Sequence, residues 1–116
     1  MIKKSALVRA VGLVRRNPNL TPEEFKNYWL NIHVPMIKDK LPGLALYTGS
    51  FPLVGKSTEF PLAPYDAIVE LGFESIDAMR QALNGPSFMS QDRQISSAKF
   101  LSSADSLVME KYVVEL

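Results

Sequence analysis

The most constraining pattern in this chain is residues 6–15, a run in which alternate positions are apolar on both sides. One alternate set consists of Leu7, Val11 and Leu13, and the other consists of Val8, Ala10 and Val14. In a β-strand the two sets face opposite sides of the sheet, so a sheet with one wet face would expose one of them. The chain is therefore expected to cover both faces of this strand.

Further strand and helix patterns follow in the order βαββαβ. Predicted strands cover residues 44–51, 65–73 and 106–114, and predicted helices begin at Thr21, at Ser75 and at Ser87, the last running to about Leu101. Two strand–helix–strand units without a Gly-rich phosphate loop predict an α+β domain, residues 1–116, with a ferredoxin-like four-stranded antiparallel sheet and helices on one face. A second copy of the chain is the simplest cover for the other face, which predicts an isologous homodimer packed sheet on sheet.

The first predicted helix has a well-marked start. Thr21 suits the N-cap, Pro22 suits the first helical position, and Glu24 completes a capping box. Pro35 interrupts the pattern, since a proline removes a helical hydrogen bond and crowds the carbonyl four residues back. We therefore expect the helix to end or kink two residues after His33.

This helix carries the only histidine and the only tryptophan of the chain. A period of 3.6 residues places one apolar stripe on it, consisting of Phe25, Trp29, Ile32 and Met36. Tyr28 and His33 lie on the two shoulders of that stripe. His33 is accordingly expected at the edge of the buried face, where a packed structural role is as plausible as a functional one.

Composition excludes several kinds of site. The chain has no cysteine, which removes disulfides and thiolate chemistry, and a single histidine without a metal-ligand spacing makes a metal site improbable. A net charge of +1 offers no field for nucleic acid or an acidic membrane. Without a signal-peptide or membrane-span pattern, a cytoplasmic protein without metal or cofactor is expected.

Several other side chains are candidates for ligand contact. Tyr28 and Trp29 would stack on an aromatic ligand, although aromatics at helical spacing are more often core. Tyr47 and Tyr65 would offer hydroxyls from strand edges. Two charged candidates complete the set, Arg9 and Asp92.

Both charged candidates have structural alternatives. Arg9 lies within an apolar strand and needs a partner if buried, with Glu70 or Glu110 as candidates. Asp92 would form a pair with a residue of the helix that carries His33, or would lie at the surface.

The segment 50–64, rich in proline and apolar residues, is predicted to cover a cavity or to reach the partner subunit.

Nearly the whole sequence resembles a known family, most specifically around Trp29, His33 and Pro35. The run LTPEEFKNYWLNIHVPMIKDKLPGLALY, which starts at Leu20, is similar to the signature of the EthD family in its T-P-E-E-F start, its Y-W-x-x-x-H-x-P centre and its L-P-G-L end. YDAIVELGFESIDAM and the following G-P-S-F resemble the second half of that family. Gly72 departs from the pattern, because a large aromatic residue is expected there.

The resemblance implies a cytoplasmic dimeric α+β barrel with a cavity between helices and sheet. Members are associated with degradation of ethers and other small organic compounds, often beside oxygenases. Similar barrels include cofactor-free monooxygenases, isomerases, and cyclases or decarboxylases, so the fold leaves the reaction open.

Three functions follow as alternatives. In the first, His33 moves a proton on a small hydrophobic compound in a cofactor-independent enzyme, an oxidoreductase, isomerase or decarboxylase of catabolism or secondary metabolism. In the second, the protein is an accessory or ligand-binding partner of an oxygenase system. In the third, it is a structural dimer with a filled interior. An enclosed apolar cavity with His33 in its wall would favour the first two.

Overall fold

The structure is a computed structural model that describes residues 1–53 and 63–116. Its elements, in chain order, are β1 Ile2–Lys4, β2 Val8–Arg16, α1 Pro22–Tyr28, a π-turn Trp29–His33, α2 Val34–Ile37, β3 Leu46–Ser50, β4 Ala67–Phe73, α3 Ile76–Leu83, α4 Gln91–Phe100, β5 Leu101–Met109 and β6 Tyr112–Val114. No helix in these ranges is long and apolar enough to cross a membrane.

The main sheet has four antiparallel strands in the order β3-β4-β2-β5. β2 lies in the interior of the sheet between β4 and β5, so both of its edges are paired, and one of its two apolar faces, which carries Ala10 and Val14, lies on the helix side of the sheet. Val11 faces Glu70 on one side and Leu107 on the other. The predicted α+β fold with a ferredoxin-like sheet is confirmed.

The predicted N-terminal cap of α1 is also confirmed. Thr21 Oγ1 accepts a hydrogen bond from the Glu24 backbone N–H at 3.1 Å, and the Glu24 carboxylate accepts one from the Thr21 N–H at 2.9 Å. These bonds satisfy two backbone donors that a helix start leaves unpaired. The cap fixes where the helix that carries His33 begins.

Two boundaries in the second half were predicted wrongly. α4 begins at Gln91 rather than Ser87, and β5 begins at Leu101 rather than Ser106. The polar run after Leu101 has a weak strand pattern, but the long strand β2 pairs with it and supplies its backbone hydrogen bonds. The predicted single last strand is therefore divided into β5 and β6.

β6 belongs to a separate two-stranded ribbon. It pairs with β1, with Ile2 opposite Val114 and Lys4 opposite Tyr112, and all of these residues are exposed. Strand β1 was not predicted. The ribbon contributes no buried side chain to the core.

The core lies between the helices and one face of the main sheet. It comprises two groups of buried side chains, one with Val14, Phe25, Trp29, Ala67 and Phe100 and the other with Ile37, Leu41, Phe73, Met79 and Ala82. The predicted cover or arm over residues 50–64 falls largely outside the described residues. Within the described part, Phe51 packs edge-on against Phe25 and Trp29, with ring centroids 5.9 and 5.5 Å apart.

Candidate functional site

The π-turn decides which side chains of the first helix face the core. Its wider turn lets the Val34 N–H donate to the Trp29 carbonyl five residues back. The turn ends two residues before Pro35, which would crowd the Asn31 carbonyl in a regular helix. The helical conformation continues through Ile37, so Pro35 does not end it.

The buried stripe consequently repeats every four residues. It consists of Phe25, Trp29, His33 and Ile37. Ile32, predicted on this stripe, is 49% exposed, whereas His33, predicted on its shoulder, is only 8% exposed. The extra residue in the turn rotates the following positions, and His33 takes the place expected of Ile32.

The imidazole of His33 is held by one hydrogen bond and one aromatic contact. Its Nδ1 lies 3.0 Å from the hydroxyl of buried Ser96, and its ring centroid lies 4.6 Å from that of Phe100. Burial, assisted by the positive charge of Arg93, lowers the pKa of His33 to about 4. The ring is therefore neutral at physiological pH.

A chain of two hydroxyls orients this ring. Ser96 Oγ also lies 3.1 Å from the hydroxyl of Tyr28. If Ser96 donates to Nδ1, the proton of the neutral ring is on Nε2; if Nδ1 donates to Ser96, Nε2 carries a lone pair. Because Ser96 engages Nδ1, Nε2 is the ring nitrogen left for a ligand, in either a donor or an acceptor state.

His33 forms part of the wall of a cavity between the helices and the sheet. The cavity has a volume of about 420 Å³, within the range of small-molecule sites. Apolar groups from β2, β4, β5 and the helices make up most of its lining, including Val14, Val69, Leu71, Phe88, Phe100 and Val108. The few polar side chains in the wall are His33, Tyr47, Arg93, Ser97 and Ser106.

Trp29 and Tyr47 close the wall near β3. Both line the cavity, and their rings pack edge to face with centroids 5.5 Å apart. Burial raises the pKa of Tyr47 to about 12, so its phenol stays protonated. Trp29 is mainly a packing residue, with an exposed fraction of 8%.

Arg93 enters the wall from α4. Its Nε donates to the Phe88 carbonyl at 2.6 Å, and its guanidinium carbon lies 4.2 Å from the centroid of the Phe88 ring. Nη2 makes a long contact of 3.9 Å with Met89 Sδ. Partial burial lowers the pKa of Arg93, but arginine remains charged at physiological pH.

The remaining predicted candidates do not line this cavity. Tyr28 reaches it only indirectly, through Ser96 and His33. Tyr65 lies beside the sheet, where its hydroxyl donates to Asp105 at 3.0 Å and its ring lies 5.1 Å from the Arg15 guanidinium carbon. Asp92 is bound by Lys40 at 2.9 Å, which connects the turn after α2 to the start of α4.

Arg9 points to the opposite face of the sheet. Its Nη1 donates to Ser5 Oγ at 3.1 Å, and its Nε lies 3.9 Å from a carboxylate oxygen of Glu70, one of the two predicted partners. That same carboxylate oxygen accepts a hydrogen bond from Thr48 at 3.2 Å. The other candidate partner, Glu110, pairs with Lys4.

Sequence reasoning missed Ser96 and Arg93. A signal for them was present, because Arg93, Ser96, Ser97 and Phe100 have the i, i+3, i+4, i+7 spacing of one helical face. A polar face on a helix is normally assigned to solvent, which hid the role of this one. Within the described ranges, no three His, Asp or Glu side chains cluster in a way that would hold a metal ion.

Comparison with known proteins is consistent with this architecture. Residues 17–102 match the EthD domain. The chain belongs to the EthD family. No curated protein sequence matches it significantly.

Solved structures similar to this EthD chain share its fold at low sequence identity. An EthD family protein from Bacillus halodurans is 16% identical, with a TM-score of 0.63 over 95% of this chain and 99% of its own. A dimeric ferredoxin-like protein of unknown function from Thermobifida fusca is 18% identical, with a TM-score of 0.61 over 89% of each chain. The hydroxynitrile lyase of Passiflora edulis is 13% identical, with a TM-score of 0.64 over 95% of each chain.

Proposed function

We propose that this EthD protein takes a small, largely apolar organic molecule into the cavity beside His33 and moves a proton on it without a cofactor. The observation that carries the proposal is the position of the imidazole, which is buried in the cavity wall and fixed through Nδ1 by Ser96. A ring oriented in this way presents Nε2 to a ligand as a general acid or base.

The hydroxyl chain gives the ring a way to change its protonation state. When Nε2 takes a proton from a ligand, Nδ1 can pass its own proton to Ser96 while Ser96 passes its hydroxyl proton to Tyr28, whose half-buried hydroxyl releases one to solvent. The same chain runs in reverse when Nε2 returns a proton to the ligand. The ring then returns to neutrality without leaving the wall. An enolisable carbonyl compound is the simplest substrate, because the proton removed from carbon can be returned at another atom.

Proton exchange into a model ketone tests this directly. We expect the protein to accelerate deuterium incorporation from D₂O into 2-tetralone, an enolisable bicyclic ketone, followed by proton NMR. Replacing His33 with Gln should reduce the protein-dependent rate by about 10²- to 10⁴-fold. Ser96→Ala should reduce it less, because it removes only the partner of Nδ1.

Two outcomes would contradict the catalytic proposal. One is a wild-type protein that binds the ketone without accelerating exchange, and the other is a His33→Gln protein that exchanges at the wild-type rate. Proteins with this fold can be enzymes, because the structurally similar protein from Passiflora edulis is a hydroxynitrile lyase.

A non-catalytic ligand-binding protein that supports an oxygenase is the second candidate. The observation that favours it is the pKa of His33, about 4, because a base works best when its pKa is near the working pH. Binding of 2-tetralone without proton exchange would support this candidate over the first.

We further propose that two chains associate through the outer face of the main sheet. Exposed apolar side chains on this face include Ile68, Leu107 and Met109, which are 42%, 50% and 44% exposed in the single chain. The similar protein from Thermobifida fusca is dimeric. Packing sheet on sheet would remove these side chains from water.

A further inference from the structure

We infer that the ligand of the cavity carries a negative charge, and that Arg93 is the residue that binds it. This inference rests on the proposed function and names the class of molecule, an apolar acid with its carboxylate at the α4 end of the cavity. The charges in the wall and the contacts that hold Arg93 support this assignment.

The cavity wall has a marked charge imbalance. Arg93 is its permanent cation, while none of the described lining residues is Asp or Glu. The described ion pairs do not include Arg93 either, so its guanidinium is not neutralised by a carboxylate in the part of the chain that the structure covers. A cation in an apolar wall attracts an anion more strongly than the same cation would in water.

Arg93 is also prepared for binding. The Phe88 carbonyl holds Nε, and the Phe88 ring supports the guanidinium plane, so two groups fix the side chain from the same turn. Neither contact uses Nη1. A guanidinium that is already oriented loses little conformational entropy when it donates to a carboxylate.

An anion at this position would act on His33 as well. The charge of Arg93 is the second cause of the low pKa of the imidazole, after burial, so a bound carboxylate that offsets this charge would raise that pKa. An acidic ligand would thereby make His33 a better base than a neutral ligand would.

The part of the cavity wall formed by β2 at Gly12, here called the floor, limits the shape of the ligand. Gly12 lies on the cavity face of β2, and a β-carbon built there would come no closer than 3.8 Å to a neighbouring atom. Neither a positive φ nor a close neighbour requires glycine at this position. Leaving the space empty gives a flat ring room to lie on the strand.

A matched pair of probes separates charge from size. 2-Naphthoate and 2-naphthamide have the same rings, and only naphthoate is an anion at neutral pH. By calorimetry we expect naphthoate to bind the wild-type protein at least about tenfold more tightly, as charge-assisted hydrogen bonds commonly allow.

Variants then assign the difference to a residue. Arg93→Gln should abolish the preference for naphthoate, because it should weaken naphthoate binding more than naphthamide binding, and Arg93→Lys should retain part of the preference. Gly12→Val should weaken both probes alike by filling the floor. Lys99→Gln, which removes an exposed charge from the same helix, should change neither affinity.

The possible failures are distinguishable. Equal affinities of the wild-type protein for the two probes, or equal losses of both in Arg93→Gln, would overturn the assignment of an acid while leaving the proposed binding function in place. If the folded protein bound neither probe, both the acid and the ligand-binding function would be rejected. A preference preserved in Arg93→Gln but lost in Lys99→Gln would place the effect outside the cavity and overturn the role of Arg93.

Discussion

At the scale of single residues, the protonation of His33 connects the site to stability. The ring is buried and its folded-state pKa is about 4, against 6.5 for an unperturbed imidazole. Among the described hydrogen bonds, only the Nδ1 nitrogen of the ring has a protein partner, the hydroxyl of Ser96. The same burial that prepares the ring for a ligand therefore makes protonation costly.

The sign of the pH effect follows from that difference. Between pH 6.5 and about 4 the unfolded chain binds a proton at His33 that the folded chain does not bind. The His33 contribution to the free energy of unfolding is therefore fully present above pH 6.5, falls through this window and levels off below it. The loss is at most about 3.5 kcal/mol, at about 1.4 kcal/mol per pKa unit.

Urea unfolding across that window measures this contribution. We expect the free energy of unfolding of the wild-type protein to fall more steeply with decreasing pH than that of His33→Gln, which has no group to protonate. The difference between the two profiles isolates His33 from the carboxylates. Profiles that remain parallel would mean that the imidazole is not held neutral by burial.

At the scale of elements, the first helix shows what the sequence could and could not predict. The capping box and the burial of Phe25 and Trp29 follow from local chemistry and from a period of 3.6 residues, and both are present. The burial of His33 does not follow, because it depends on a π-turn that changes the period over five residues. The sequence indicated a disturbance through Pro35, but not that the chain would widen rather than end there.

The partner of His33 was beyond local reasoning for a different reason. Ser96 is 63 residues away in the sequence, and a serine in a polar helix carries no sign of what it will meet. Only the packing of α4 against the π-turn brings the two together. The four-stranded antiparallel sheet was easier to predict, because two repeated strand–helix–strand units allow few arrangements.

The approach of the first helix to the sheet depends on one glycine in β3. A β-carbon at Gly49 would lie 2.8 Å from Trp29 Cζ2, whereas a β-carbon at Gly12 would meet nothing closer than 3.8 Å. Gly49 thus allows the indole to lie directly on the strand. The two glycines face the same side of the sheet and form a matched pair.

Alanine at each position should have opposite effects on stability. Gly49→Ala should lower the free energy of unfolding by about 1–3 kcal/mol, because the indole or the strand must shift. Gly12→Ala should leave it unchanged or raise it by up to about 1 kcal/mol, as expected when glycine is replaced within a strand. Chemical denaturation measures both, and equal effects would show that the contact with Trp29 is not what restricts position 49.

At the scale of the whole molecule, the outer face of the sheet is unusual for a single chain. Ile68 lies on the outer face of β4, an interior strand, yet 42% of it is exposed, and the neighbouring Arg9, Glu70 and Thr48 bind one another. A two-sided apolar strand was the first pattern in the sequence, and this face is its uncovered side. A second copy of the chain is the proposed cover.

Substitution of Ile68 tests the proposed dimer. We expect wild-type protein to sediment as a dimer and Ile68→Asp to sediment as a monomer, because a carboxylate there would be buried without a partner. Ile95→Asp is the matched control, since Ile95 is 49% exposed on α4 and should leave the dimer unchanged. Wild-type protein that sediments as a monomer at micromolar concentration would reject the dimer.

The ribbon of β1 and β6 has a consequence for the order of folding. Joining residue 2 to residue 114 in an otherwise unfolded chain would close a loop of nearly the full length, at a large entropic cost. Once Arg9 and Met109 have paired in β2 and β5, only a few residues separate that pair from the ribbon on either side. The ends of the chain therefore join as a late extension of an existing sheet. For the same reason they are the first part to open, and amide hydrogens there would exchange with solvent while the cavity remains intact.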